Sequence, residues 1–303
     1  MKKLIFMVTA ATALLSGCQG KEESAQPATT ELKEKAQSSV AQTASLEPSL
    51  ASILDMQDEK VKERFKYRNP KETLDFFGIK PGMTVVEALP GGGWYSKILQ
   101  SYLGSEGELI GVDYSYDMWP NFSFADENFL NKKKTWSVDW PKGAQKWSSE
   151  TGSPINAYTF STLPQDLQAD AVLFIRALHN LSRFEAKGEF LTKALSESHR
   201  ILKSGGIVGV VQHQLNEEHS DASADGSRGY LKKSRVVASF EKAGFILVGE
   251  SDINKNAKDQ PGEKDIVWRL PPRLTTSKDD DALKQKYTEI GESNRMTLLF
   301  VKK

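Results

Sequence analysis

The chain has 303 residues, 40 basic and 40 acidic side chains and a hydrophobic content of 39%, a balance ordinary for a globular protein of one or two domains. Near-neutral charge argues against nucleic acid as a partner. Four histidines and one cysteine offer no metal-ligand spacing and exclude an intramolecular disulfide.

In chain order, Lys2 and Lys3 precede an apolar run from Leu4 to Leu15. It is too short for a membrane-spanning helix and suits a signal peptide over 1–17. The run ends in Leu15-Ser16-Gly17-Cys18, which resembles the lipobox of bacterial lipoproteins. That resemblance implies a diacylglyceryl group on the Cys18 sulfur, cleavage before it, and acylation of the new N-terminus. With Gln19 rather than Asp next, it implies an outer-membrane anchor facing the periplasm. Several acyl chains make such an anchor stable at about 0.8 kcal/mol per buried methylene. Residues 18–48 carry the lipidated cysteine and a polar tether without aromatic residues, expected to be disordered.

Residues 49–303 read as one domain. The stretch "DEKVKERFKYRNPKETLDFF" (58–77) predicts one or two helices, with Pro70 in the first turn of the second. Thr84 to Leu89 is a predicted strand, Trp94 to Tyr102 a helix, and Glu108 to Asp113 a second strand. Residues 114–153, with "MWPNF", "TWSVDWPKG" and "KWSSETGSP", have no clear period and read as a long loop, either a lid over a site or a packing flap. Further strands are expected at "INAYTFST", Asp170 to Leu178, "GIVGVVQHQ", "FILVGES" and "RMTLLFVKK", with helices over Phe184 to Leu202 and Lys233 to Ala243. Such alternation predicts an α/β fold, a parallel sheet with helices on both faces.

The stretch "VVEALPGGGWYSKIL" joins strand to helix through an acid and three glycines, a cradle in which backbone can approach a ligand closely. Asp113 ends the second strand twenty positions after Gly93, where a carboxylate can accept hydrogen bonds from both ribose hydroxyls of a nucleoside. Dinucleotide sites carry G-x-G-x-x-G and set a pyrophosphate on a helix N-terminus. Here the last of those glycines is lacking. Glu87, four residues before the glycines, would repel pyrophosphate and suit a cationic aminoacyl tail. These residues favour S-adenosylmethionine over a nicotinamide cofactor.

In "VVEALPGGG", "GVDYS", "ADAVLFIRALHN", "RILKSGGIVGVV" and the terminal pair of strands, the sequence resembles the class I S-adenosylmethionine-dependent methyltransferases, over about residues 60 to 303. More narrowly, "KPGMTVVEALPGGGWYSKIL", "SDINKN", "LPPRL" and "IGESNRMTLLFVKK" are similar to bacterial lipoproteins known as predicted methyltransferases. The resemblance implies a Rossmann-like, doubly wound, mostly parallel sheet of seven strands with an antiparallel last strand. It would place Glu87 and the backbone of Gly91, Gly92 and Gly93 near the methionine part of S-adenosylmethionine, and Asp113 on the ribose. Tyr114 and Ser115, with Phe160 and Ser161, would lie along the adenine. One departure is Leu89-Pro90 early in a loop that in the family reads E/D-x-G-x-G-x-G. Proline donates no amide, so the hydrogen bonding of this loop must differ.

Methyl transfer from a sulfonium needs in-line approach and a dry site more than acid-base groups. For a nucleophile with a removable proton, the candidate catalytic bases are His179 with Asn180, after the fourth strand, and His213, after the fifth. The alternative for His179 and Asn180 is to satisfy backbone groups at a strand-to-helix turn. Tyr95 either covers the cofactor or packs. Arg176 either meets Glu87 or holds a substrate anion. Arg295 either binds an acidic substrate or pairs with Glu292 or Asp252, and Arg64 and Arg68 read as solvated helix faces. Two functions follow. One is a lipid-anchored methyltransferase acting on a small molecule or envelope component; the other is a ligand-binding scaffold lipoprotein that keeps the fold without the reaction. A nicotinamide-dependent oxidoreductase is disfavoured by the glycine spacing and by Glu87.

Overall fold

Among the described residues, eight strands form one sheet: β1 Thr84–Ala88, β2 Glu108–Asp113, β3 Ile155–Thr159, β4 Ala169–Ile175, β5 Leu202–Leu215, β6 Leu231–Lys232, β7 Phe245–Ser251 and β8 Arg295–Lys302. Their order is β3-β2-β1-β4-β5-β8-β7, with the two-residue β6 against the end of β5. Pairings are parallel except those of β8, which runs antiparallel to β5 and β7. The expected sheet is therefore present, with β6 added. The computed structural model describes residues 49–147 and 152–303. The signal peptide, Cys18 and the tether, all read from residues 1–48, lie outside the described residues.

β1 illustrates how burial on two faces makes a central strand. Val86 and Ala88 belong to the apolar cluster on one face and Val85 to that on the other, the pattern of a parallel strand covered on both sides. β4 repeats it, with Val172 and Phe174 on one face and Ala171, Leu173 and Ile175 on the other. Complete burial of a large apolar side chain here contributes roughly 1.5–3 kcal/mol. The two-residue period also fixes the side of Glu87. It shares the face of Val85, under the helix Trp94–Leu103.

Ahead of the sheet, the expected one or two helices are three: Glu59–Lys62, Phe65–Arg68 and Pro70–Phe77. The last two are divided at Asn69, left-handed with φ 39°, and Pro70 opens the final helix. The expected helix over 184–202 is split in the same way: Glu189, at φ 54°, divides Glu185–Gly188 from Phe190–Ile201. The helix Asp281–Ile290, capped by the Asp280 side chain, buries none of its residues. Its apolar residues Leu283, Tyr287 and Ile290 follow helical spacing but are only half-buried.

The segment 114–153 folds into more than a loop. It holds a 3-10 turn at Tyr116–Asn121, the helices Glu127–Lys134 and Trp136–Ala144, and a 3-10 turn at Gln145–Trp147. The Asp126 carboxylate caps the first helix by accepting from the Phe129 N–H at 2.8 Å. No helical period shows in the sequence because the first helix buries nothing, while the second buries only Ala144 and contains Pro141. Two indoles fasten this insertion to the sheet. A Cβ on Gly111 would stand 2.7 Å from the Trp140 ring, and one on Gly93 only 2.0 Å from Trp147.

Candidate functional site

β1, β2 and β4 end side by side, and the strand order reverses between β1 and β4, the place where open α/β sheets receive ligands. The loop after β1 is shaped by backbone. Leu89, at φ 55°, donates its N–H to Val112 O at 2.7 Å, and Gly93 donates to Pro90 O at 2.9 Å. Gly91 and Gly93 take φ 56° and 75°, which glycine adopts without strain. Gly93 has a second reason in Trp147, whereas a Cβ on Gly92 would meet nothing within 4 Å.

Two adjoining cavities open over these strand ends and share Leu89, Pro90, Gly91, His179, Trp268 and Arg273 in their walls. The first, of about 650 Å³, takes Asp113 and Tyr114 from the end of β2 and Trp119, Phe122, Phe124 and Trp136 from the insertion. Tyr114 stacks with Phe122 at 5.9 Å and meets Trp119 edge-on at 4.9 Å. Such a wall suits a flat heteroaromatic base. Both Asp113 oxygens are engaged: Oδ1 accepts from the Tyr114 N–H at 2.8 Å and Oδ2 from Lys133 Nζ at 2.7 Å. The same ammonium lies 3.9 Å from the Trp119 ring centroid. Burial pushes the Asp113 carboxyl up, and Lys133 and the Tyr114 N–H pull it back.

The second cavity, of about 410 Å³, is polar and lined in part by Gly92, Trp94, Arg176, His213, Glu292 and Ser293. His213 Nδ1 pairs with Ser293 Oγ at 2.5 Å, and the His179 and His213 rings stand 5.7 Å apart. Burial lowers His179 to about 4, and burial with His179 and neighbouring arginines holds His213 well below the usual imidazole value. His179 Nδ1 is buried without a hydrogen-bond partner among the described residues.

The structure brings Gly91, Asp113, Tyr114, His179 and Asn180 into the first cavity, and Gly91, Gly92, His179 and His213 into the second. Glu87 lines neither. It is buried beneath the loop, where Ser96 Oγ donates to Oε2 at 2.5 Å, and burial raises it to about 7 against the pull of Ser96 and Arg176. Its register on β1 aims it at the covering helix rather than into the cleft. Gly93 lies against Trp147. Phe160 and Ser161 are not brought to the first cavity: Phe160 stacks on Phe174 in the core, and exposed Ser161 bonds Thr159. The insertion supplies the aromatic wall in their stead. Tyr95 packs, donating to Arg68 O at 3.1 Å.

Among the arginines, Arg295 pairs with Glu292 at 3.1 Å, while Asp252 bonds Lys255. Arg64 and Arg68 are not solvated faces, for both bind Glu292. Arg176 stands 3.8 Å from Glu292. Sequence reasoning also passed over Trp119, Phe122, Lys133 and Trp136. Their one signal was the density of aromatic residues between 114 and 147.

No family model matches the chain. Over 70 residues it is 43% identical to the ribosomal RNA small subunit methyltransferase H of Flavobacterium psychrophilum, a stretch equal to 21% of this chain and 24% of that protein. The chain thus spans about a quarter of the length of the curated relative it matches. Among solved structures, the [4+2]-cyclase SpnF superposes with a TM-score of 0.50 at 15% identity, covering 78% of this chain and 80% of the cyclase. An S-adenosylmethionine-dependent methyltransferase from Aquifex aeolicus gives 0.44 at 18% identity, covering 68% and 94%. Strand order, the antiparallel β8 and the likeness to SpnF establish a mixed α/β, mostly parallel doubly wound fold shared with that cyclase.

Proposed function

We propose that this chain binds S-adenosylmethionine in the first cavity and transfers its methyl group to an acceptor in the second. The observation that carries the reading is Asp113. It stands at the carboxyl end of β2, faces an aromatic-walled cavity and adjoins a glycine loop at the switch point of the sheet. These residues fit the cofactor: Asp113 would take the ribose hydroxyls, Tyr114 and the insertion aromatics the adenine, and Gly91, in the wall common to both cavities, the aminoacyl end. When bound, the cofactor supplies an electrophilic methyl on a sulfonium. The chain's own residues orient the reactants and exclude water. His179 stands in the wall common to both cavities, beside the path between cofactor and acceptor, and His213 is fixed by Ser293. Glu87 acts from below, holding the start of the helix through Ser96.

Calorimetric titration of purified protein with S-adenosylmethionine and S-adenosylhomocysteine tests this, with saturable binding expected for both. Absence of binding would rule it out. A second reading, ligand binding without turnover, is favoured by one observation: Lys133 already holds the carboxylate that a ribose would need. Under it, an Asp113→Ala chain would support cellular function as well as wild type. One fold hosts many chemistries, and SpnF is named for a cyclisation.

We further propose attachment to the cell envelope, probed by labelling cells with an alkyne fatty acid. Wild type should carry the label in the outer-membrane fraction, and Cys18→Ser should lose both label and membrane association.

A further inference from the structure

The second cavity holds more positive charge than its partners neutralise. Four arginines, Arg64, Arg68, Arg176 and Arg273, and a single carboxylate, Glu292, are in its lining. Glu292 is already saturated. Oε1 accepts from Arg64 Nε at 2.7 Å and Arg68 Nε at 3.1 Å, and Oε2 from Arg295 Nη1 at 3.1 Å. Arg176 stands off at 3.8 Å, beyond hydrogen-bond reach. Arg273 is exposed, with no ion pair among the described residues. Two guanidiniums therefore present unused donor forks to a cavity of about 410 Å³, a size suited to a small molecule.

Independent features of the same wall point to a ligand. The Trp94 indole N–H and His179 Nδ1 are both buried without partners among the described residues, and such orphans call for an explanation. Arg176 sits at φ 60°, a conformation that a non-glycine residue keeps only where its surroundings compel it, and one that gathers at functional sites. Planar donor forks match carboxylate and phosphate geometry.

We propose, resting on the methyltransferase reading above, that this cavity is the acceptor subsite and selects a small molecule bearing a carboxylate or phosphate. Its oxyanion is held by Arg176 and Arg273, and its reactive end is turned past His179 towards the first cavity. The aminoacyl tail of the cofactor also carries a carboxylate, and the experiment separates these sources.

At low ionic strength, purified protein is titrated calorimetrically with malonate and with inorganic phosphate, with and without saturating S-adenosylhomocysteine. Arg176→Gln and Arg273→Gln are compared with wild type, with melting curves as the folding control. The expected result is saturable binding of at least one anion to the S-adenosylhomocysteine-loaded wild type, weakened tenfold or more in both variants, with S-adenosylhomocysteine affinity within twofold of wild type in Arg176→Gln, whose residue lines the second cavity alone. Should Arg176→Gln fail to fold, the exposed Arg273 carries the test alone. The proposal is overturned by no anion binding at millimolar concentration, by equal binding to the folded variants, or by displacement of the anion by S-adenosylhomocysteine. If S-adenosylhomocysteine itself fails to bind while anion binding stays arginine-dependent, the methyltransferase reading falls and the oxyanion site stands.

Discussion

Asp113 and Glu292 are both buried acids beside the paired cavities, and they are neutralised differently. Asp113 meets one ammonium, Lys133, carried on the insertion. Glu292 is gripped by Arg64, Arg68 and Arg295, with Arg176 a little further away. The first arrangement is one charge against one, its partners lying on separate segments, so a ligand's hydroxyls can replace the ammonium. The second is one charge against several on segments that meet in the body of the fold, and it leaves a standing positive field. Exchange is built into one end of the site and permanence into the other.

The largest expected effect breaks the permanent end. Glu292→Gln leaves several guanidiniums buried around no carboxylate and should destabilise the fold by about 3–5 kcal/mol, read as a fall in the urea midpoint. An unchanged midpoint would mean that the arginines do not depend on this acid. The sign with pH also follows. Burial would raise the Glu292 carboxyl, but Arg68, Arg295, Arg176 and Arg64 outweigh it and hold it below the usual value. Its contribution is present above the unfolded value of 4.5 and is lost as pH falls through the folded one.

Glu87, an acid without a cation in contact, sharpens the comparison from the opposite side. Burial lifts it from 4.5 to about 7, so its contribution is full below 4.5 and is lost as pH rises through 7. That difference corresponds to about 3 kcal/mol. Glu87→Gln should flatten the decline in stability between those values, which urea titrations at acidic and mildly alkaline pH will read. A decline of equal steepness in the variant would assign it to other groups.

Smaller effects belong to the exchangeable end. Asp113→Asn should weaken S-adenosylhomocysteine binding about ten- to a hundredfold, or ~1.4–2.7 kcal/mol. Lys133→Ala should tighten it about two- to fivefold, because an ion pair need no longer be broken before the ribose is bound. Opposite signs from the two members of one pair, measured by calorimetry, distinguish a displaceable partner from a structural one. Loss of affinity in both variants would make Lys133 part of the binding surface instead.

The sheet was legible because its central strands are buried on both faces and write apolar runs into the sequence, as at Val85-Val86 and Ala171 to Ile175. The end of β2 at Asp113 was readable for the same reason. The direction of Glu87 was not, since a motif gives a residue's place on a strand, while the covering helix decides which face is cleft and which is core. The aromatic wall escaped because its helices lean on the body through a few large rings rather than a stripe. Arg64 and Arg68 share a helical surface with exposed lysines, and only the return of the chain at Glu292, 224 positions after Arg68, shows what they bind.

One consequence concerns light. Four of the six tryptophans of the chain line the two cavities. Trp119 and Trp136 line the first, Trp94 the second and Trp268 both, while Trp140 and Trp147 touch each other and rest on Gly111 and Gly93. Much of the intrinsic emission of the unmodified protein therefore comes from the region where a ligand would settle. It offers an optical readout of occupancy that needs neither a label nor knowledge of the substrate.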